Sequence, residues 1–118
     1  MKYMLLIYGT EQTLDADETQ ACYLESSQLA HSLNESGQYL AANPLQSVVT
    51  AKSVRVRDGK KLLTDGPFAE TREQLGGYFL VDAANIDEAT DIAAKIPGAR
   101  WGTVEVRPIV ELTTLPEE

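Results

Sequence analysis

The sequence is poor in the residues that most often carry catalysis or hold metal ions. Among its 118 residues there is one cysteine, Cys22, and one histidine, His31. A single thiol excludes an internal disulfide and a zinc site built from cysteines. The sequence also contains no glycine-rich phosphate loop, no metal-ligand cluster and no catalytic-triad pattern. We therefore expect no metal ion and no cofactor.

Positive charge is also scarce. The chain carries 10 Lys and Arg against 18 Asp and Glu, which gives a formal net charge of −8. Because phosphate contacts dominate nucleic-acid affinity, this balance argues against a DNA or RNA partner. The same charge disfavours binding to an anionic membrane surface.

No long hydrophobic run is present. The apolar start, residues 1–8, is too short for a signal peptide, lacks a small-residue cleavage pattern and is followed at once by Gly9-Thr10-Glu11. A run of aliphatic and aromatic residues is typical of a buried strand. We expect this segment to be the first strand of a cytoplasmic protein.

The next segment predicts a long helix. Asp15, with Glu18 three residues later, forms a capping-box pattern, and Gly37 is a typical helix stop after Ser36. At about 100° per residue, one face should meet the core; it carries Cys22, Ser26, Leu29, Ala30 and Leu33. His31 lies on the opposite side, so we expect it to be a solvated surface histidine.

Turn residues then mark a hairpin. Residues 38–42 indicate a short strand, and two further strands, residues 48–57 and 60–64, flank Asp58-Gly59. Because Asp-Gly supplies the positive φ angles of a type I′ turn, this is a strong hairpin signal. Arg55 and Arg57 alternate with valines and should point to one side of the hairpin.

The remaining pattern completes the fold. Residues 78–81 predict a buried strand, Asn85 is a helix cap, Pro97-Gly98 ends that helix, and residues 103–112 predict a final strand. The order is β-α-β-(hairpin)-β-α-β, which is the ferredoxin-like split β-α-β arrangement of an α+β protein with an inserted β-hairpin. We expect one domain over residues 1–112 and an acidic tail over residues 113–118.

Two helices can cover only one face of a four-stranded sheet. The other face would carry large apolar side chains from the first strand and from residues 78–81, and such a patch marks an interface. A second copy of the chain is the simplest cover, so we expect a homodimer. The alternative is that the inserted hairpin folds back over this face.

A family resemblance is carried by residues 65–78, which read DGPFAETREQLGGY. This run resembles the signature of the DGPF branch of the YCII-related (YciI-like) proteins. Residues 2–9, 54–59 and 104–109 are also similar to that branch. The resemblance implies a dimeric α+β-barrel of ferredoxin-like subunits, with a cleft near the dimer interface, in a family whose members mostly lack an assigned reaction.

The resemblance has two further implications. Some members are encoded beside, or fused to, sigma factors of the extracytoplasmic-function type, which makes such a factor a candidate partner. In the wider family a histidine and an aspartate in the cleft have been proposed as an active-site pair. Alignment on residues 37–45 places Ser26 at the histidine position, so that acid–base mechanism does not transfer to this chain.

Five side chains are candidate ligand-binding residues: Asp65, Glu70, Arg72, Tyr8 and Tyr39. The first three lie in a polar loop between two predicted strands, where binding residues concentrate. Arg72 can clamp a carboxylate, and either acid can act as a general base if desolvated. The tyrosines lie at strand ends and can hydrogen-bond a ligand at a cleft mouth. The alternative is architectural, with Asp65 forming the turn and Phe68 plugging the core.

Three functions are compatible with the sequence. The leading hypothesis is a dimeric small-molecule-binding or regulatory domain. The second is a small isomerase- or lyase-type enzyme that uses carboxylates and tyrosines, so enzymatic activity is left open. The third is a protein-interaction module linked to a sigma factor. Because a fold carries no reaction by itself, the geometry of the site has to decide among them.

Overall fold

A computed structural model describes residues 1–11, 14–69 and 71–116 of the chain. Within these ranges there are two helices, α1 (Ala16–Glu35) and α2 (Ile86–Ala94). The strands of the same ranges are β1 (Lys2–Gly9), β2 (Tyr39–Pro44), β3 (Lys52–Arg57), β4 (Lys60–Asp65), β5 (Gln74–Asp82) and β6 (Thr103–Pro108). The predicted order of helices and strands, and with it the α+β class, is confirmed.

Four of the strands form one antiparallel sheet in the order β2-β5-β1-β6, and β3 pairs with β4 in a separate two-stranded sheet. This order is compatible with a ferredoxin-like fold. Strand β1 is central, because its Leu5 lies opposite Phe79 of β5 on one side and Val106 of β6 on the other. A bulge at Gly76 of β5 shifts the register near the end of β1.

The hydrophobic core lies between the two helices and one face of this sheet. Because side chains alternate across a strand, the buried residues of β1 and β5 share that face. The buried apolar side chains are Tyr3, Leu5, Leu33, Phe79, Val81, Ala83, Ala89, Ile92, Ala93 and Ile96. On α1, Leu33 is buried and Leu29 and Ala30 pack against the core, which confirms the C-terminal part of the predicted core-facing side. Cys22 and Ser26, the other two residues of that side, are half-buried and outside the core.

Both helix caps form as predicted. At α1 the Asp15 carboxylate accepts a hydrogen bond from the Glu18 N–H at 2.8 Å, and the Glu18 carboxylate accepts one from the Asp15 N–H at 3.2 Å. At α2 the Asn85 side chain accepts from the Glu88 N–H at 2.9 Å. The Glu88 carboxylate instead accepts from the Gln38 amide at 2.7 Å, which ties the start of α2 to the residue before β2.

The hairpin turn is confirmed, but the flanking strands differ from the prediction. Asp58 and Gly59 have φ angles of 51° and 73°, as a type I′ turn requires. Val48–Thr50 forms a 3₁₀ turn rather than strand, because the Ser47 side chain accepts a hydrogen bond from the Val49 N–H at 3.3 Å and caps the turn. Strand β6 ends at Pro108, before the predicted end at residue 112, although the Ile109 N–H still donates to the Lys2 carbonyl of β1 at 2.9 Å.

The sheet face away from the helices carries four half-buried apolar side chains, and we call it the open face: Met4, Leu6, Tyr78 and Leu80. The hairpin is not packed against them as a lid, because its own apolar side chains Val54, Val56, Leu62 and Leu63 are 48–62% exposed. The radius of gyration, 16.0 Å, exceeds the roughly 13.5 Å expected of a compact domain of this length. The hairpin therefore projects from the body. Neither helix of the described chain is both long enough and apolar enough to cross a membrane.

Gly102 directly precedes β6 and lies against the end of β1. A Cβ at this position would overlap the Tyr8 carbonyl oxygen and lie 3.0 Å from the Gly9 Cα. We predict that Gly102→Ala lowers the free energy of unfolding by about 2 kcal/mol or more, because both obstructing groups are backbone and cannot rotate away. Urea denaturation followed by circular dichroism measures this change.

Gly9→Ala is the matched control, because a Cβ on Gly9 would meet nothing within 4 Å. This variant should differ from the parent protein by less than about 0.5 kcal/mol. Equal losses in the two variants would contradict the close approach at Gly102.

Candidate functional site

A cleft of about 900 Å³ lies on the helix-covered face of the sheet. One wall is a side of α1 that runs from Thr19 to Asn34. The floor is formed by the end of β1, the end of β2 and the bulged start of β5, and the far side by the Pro97–Arg100 turn and Trp101. The cleft is open to solvent along the side where α1 stands away from the sheet.

Small residues explain why this region is a cleft rather than core. The side chains and backbone positions that face each other across it are Cys22, Ser26 and Ala30 on α1 and Ala42, Gly76 and Gly77 on the sheet. Protein interiors are close-packed, so opposed small residues leave a void that the fold does not fill. The other part of α1 carries Leu29 and Leu33, which do fill the space above the sheet.

The cleft lining contains several free hydroxyl groups. The side-chain hydroxyls of Tyr8, Tyr39 and Ser26 line the cleft, form no hydrogen bond with another described residue and are reachable by solvent. His31 is exposed, as predicted, and lies at the rim of the cleft. Hydroxyls both donate and accept, so this lining can adapt to several kinds of polar ligand group.

At one end of the cleft, a carboxylate joins two loops. Glu11, in the β1–α1 connection, accepts hydrogen bonds from the Ser47 hydroxyl and from the Val48 N–H, each at 2.8 Å. These bonds tie the β1–α1 connection to the 3₁₀ turn that follows β2. They therefore join two loops at the mouth of the cleft.

The other end is held by an ion pair between α1 and the turn after α2. The Arg100 guanidinium donates two hydrogen bonds of 2.8 Å to the Glu25 carboxylate and lies 4.8 Å from the centre of the Trp101 ring. The hydrogen bonds from Arg100 hold the pKa of Glu25 below its ordinary value. This contact joins α1 to the turn after α2 beside the cleft.

Cys22 lies in the wall of the cleft and is half-buried. Desolvation raises the pKa of its thiol, Arg100 opposes the rise, and Glu25 and Glu18 add to it. A raised pKa leaves little thiolate near neutrality, so the geometry does not make Cys22 an activated nucleophile.

The structure brings two of the five predicted ligand-binding residues together, since Tyr8 and Tyr39 both line the cleft. Asp65 lies at the end of β4, is exposed and forms an ion pair with Lys52, outside the cleft lining. Arg72 is also exposed and outside the lining, and Glu70 lies outside the described residues. Ligand binding by these five side chains stays a prediction.

The segment after β4 has architectural contacts. The Gly66 N–H donates to the Ala51 carbonyl and the Ser53 hydroxyl donates to the Gly66 carbonyl, both at 2.8 Å. Phe68 is 70% exposed beneath the Arg55 guanidinium, 4.5 Å from the ring centre. The expectation that Phe68 plugs the core is therefore wrong, because the hairpin carries this residue away from the body.

Sequence reasoning missed the wall and floor of the cleft. Cys22 and Ser26 were predicted to face the core, and no role was predicted for Gly76 and Gly77. The signal was present, because a helix face that alternates large residues with Cys, Ser and Ala cannot fill the space above a sheet that offers glycine. Only the register of α1 over β5 shows that these small residues oppose each other.

Comparison with known proteins gives the family. The model of the YCII-related domain matches residues 1–113. The chain belongs to the YCII-related family. An uncharacterized protein of Rhizobium meliloti (strain 1021) is 34% identical over 114 residues, which cover 92% of each chain. Membership of the branch that carries Asp65-Gly66-Pro67-Phe68 stays a prediction from sequence.

The Glu25–Arg100 pair gives this YCII-related protein a testable pH dependence. Because the folded-state pKa of Glu25 is depressed, its stabilising contribution is present above its ordinary value of 4.5 and is lost as the pH falls through the lower folded value. We predict that the stability difference between the parent protein and Glu25→Gln is constant near about pH 7 and shrinks below about pH 4.5. Urea denaturation across this range measures it.

Glu35→Gln is the control, since Glu35 is an exposed glutamate of α1 for which the described residues provide no ion pair. Its difference from the parent protein should lack this acid-dependent step. A Glu25→Gln difference that grows as the pH falls would contradict the assignment.

Proposed function

We propose that this YCII-related protein is a homodimeric small-molecule-binding domain and that the cleft beside α1 is its ligand site. The observation that carries the proposal is the cleft itself. Its volume of about 900 Å³ falls in the range of about 300–1,000 Å³ typical of ligand pockets. A mainly apolar lining with a few convergent hydroxyls, as here, is also typical of such pockets.

Binding fits the geometry better than catalysis. A nucleophile needs a base within hydrogen-bond reach, and within the described residues neither Cys22 nor Ser26 makes a hydrogen bond with His31. No group of three or more His, Cys, Asp and Glu in the described part of the chain could hold a metal ion. No specific observation favours the isomerase or lyase hypothesis or the sigma-factor hypothesis.

Two features support the homodimer. The open face presents half-buried Met4, Leu6, Tyr78 and Leu80 without cover from the hairpin of the same chain. The hairpin, residues 52–65, carries five basic and two acidic side chains, whereas the rest of the chain has five basic and sixteen acidic ones. A projecting basic arm complements the acidic body of a second copy, and such complementarity favours association.

Ligand binding can be tested with a cleft-filling variant. A metabolite library is screened against the parent protein by ligand-observed NMR, and hits are checked by the fluorescence of Trp101 and by the alkylation rate of Cys22, both of which line the cleft. We predict that a hit changes the fluorescence and slows alkylation several-fold, because it covers these side chains. Ser26→Phe should remove both effects by occupying the cleft.

Ser32→Phe is the matched control, because Ser32 is an exposed serine of α1 that is absent from the lining. It should bind hits as the parent protein does. A library without hits, or hits that bind Ser26→Phe unchanged, would contradict the ligand site.

The dimer can be tested independently. We predict that Leu80→Asp, on the open face, shifts the protein from dimer to monomer in sedimentation equilibrium, because it places a carboxylate in an apolar interface. Gln28→Asp, on the exposed side of α1, should leave the assembly unchanged. A parent protein that sediments as a monomer at about 100 μM would contradict the proposal, since stable dimers associate well below that concentration.

A further inference from the structure

The cleft lining lacks permanent positive charge. Among the described residues, no Lys or Arg lines the cleft. The five residues outside the described ranges add none, since they are Gln12, Thr13, Glu70, Glu117 and Glu118. His31 is the one described lining side chain that can become cationic, and it lies exposed at the rim, where solvent screens its charge.

The basic residues closest in sequence to the lining are occupied or lie outside. Arg100 directly precedes Trp101, but both arms of its guanidinium fork are hydrogen-bonded to the Glu25 carboxylate at 2.8 Å. Arg72 is exposed and absent from the lining. An anionic ligand would therefore lose its hydration in the cleft without gaining a counter-charge, which is strongly unfavourable.

A cationic ligand would also gain little binding energy in the cleft. Glu11 is the one carboxylate among the described lining residues. Its two oxygens already accept from the Ser47 hydroxyl and the Val48 N–H, each at 2.8 Å. Glu11 is also exposed, so solvent screens its charge, and a cation beside it would gain little to offset the loss of its own hydration.

Uncharged polar groups of a ligand, by contrast, can form hydrogen bonds with the cleft lining. The hydroxyls of Tyr8, Tyr39 and Ser26 have no hydrogen-bond partner within the described residues and can donate or accept. The rings of Tyr23 and Trp101 line the cleft and are each 45% exposed, so they offer apolar surface to a flat ligand.

Building on the proposed function, we propose that the cleft takes an uncharged, partly apolar ring compound that carries hydroxyl, carbonyl or amide groups. The site selects against carboxylates, phosphates and ammonium or amidinium groups, because a charged group would lose hydration there and the described lining offers it no counter-charge that is shielded from solvent. The absence of Lys and Arg from the lining, together with the unpartnered hydroxyls, carries this inference.

The test uses three probes of nearly equal shape and different charge: naphthamide, naphthoate and naphthamidinium. Each is titrated at about pH 7 into isotopically labelled full-length protein, and binding is followed through the backbone amide signals of Ser26, Ala30 and Gly77, which line the cleft. We expect naphthamide to bind at least about tenfold more tightly than either ion.

A charge placed in the cleft should invert this order. Ser26→Lys is expected to improve naphthoate binding at least about tenfold over the parent protein and to leave naphthamide unchanged or weaker, because the ammonium group supplies the missing counter-charge. Ser32→Lys, outside the lining, is the matched control and should bind like the parent protein. If Ser26→Lys does not fold, Cys22→Lys in the half-buried wall of the cleft replaces it.

The outcomes separate this inference from the proposed function. If an ion shifts the cleft signals as strongly as naphthamide or more strongly, the site binds ligands, but its selectivity for uncharged compounds is wrong. If Ser26→Lys or Cys22→Lys folds and does not strengthen naphthoate binding, the selectivity does not come from missing charge. If none of the three probes shifts the cleft signals, both the ligand site and its selectivity are contradicted.

Discussion

Strand β1 is hydrogen-bonded to β5 along one edge and to β6 along the other, and its Leu5 is fully buried between Phe79 and Val106. This double pairing fixes the register of three strands at once. A slip by one residue would turn the side chains of β1 from the core to the opposite face, so the buried pattern of β1 specifies the whole sheet. Both helices pack on the sheet face that carries Leu5, and the opposite face of the sheet is the open face.

The helix-covered face is filled unevenly, and this unevenness produces the site. Near its C-terminus, α1 lies close to the core through Leu33, whereas Cys22 and Ser26 in its first part oppose the glycines of the β5 bulge. Beside this space, the Glu25–Arg100 pair joins α1 to the turn after α2. Close packing would normally remove such a space. Here the scaffold around it is held by contacts that do not involve the space itself.

The charged residues are distributed unevenly between the body of the protein and the projecting hairpin. Half of the basic residues lie in the hairpin at residues 52–65, away from the cleft, while the body is strongly acidic. The hairpin presents charge and apolar side chains to the outside, and the cleft presents hydroxyls and rings. We interpret the first as a surface for another protein chain and the second as a surface for a small molecule, since desolvated charge is costly in an enclosed cleft and useful at a wet rim.

Local patterns in the sequence determined most of the fold: the capping box at Asp15, the Asp58-Gly59 turn and the alternating core residues of the strands each depend on neighbours in the chain. The run at residues 65–78 likewise gave the family, because it is a continuous stretch. The site was harder to predict: of the four predicted residues that the structure describes, Tyr8 and Tyr39 lie in the cleft and Asp65 and Arg72 do not. A cleft is the space between segments far apart in sequence, and its size depends on how α1 is seated above the β5 bulge. Tertiary structure alone therefore decided that Ser26 faces a void and that Asp65 lies outside it.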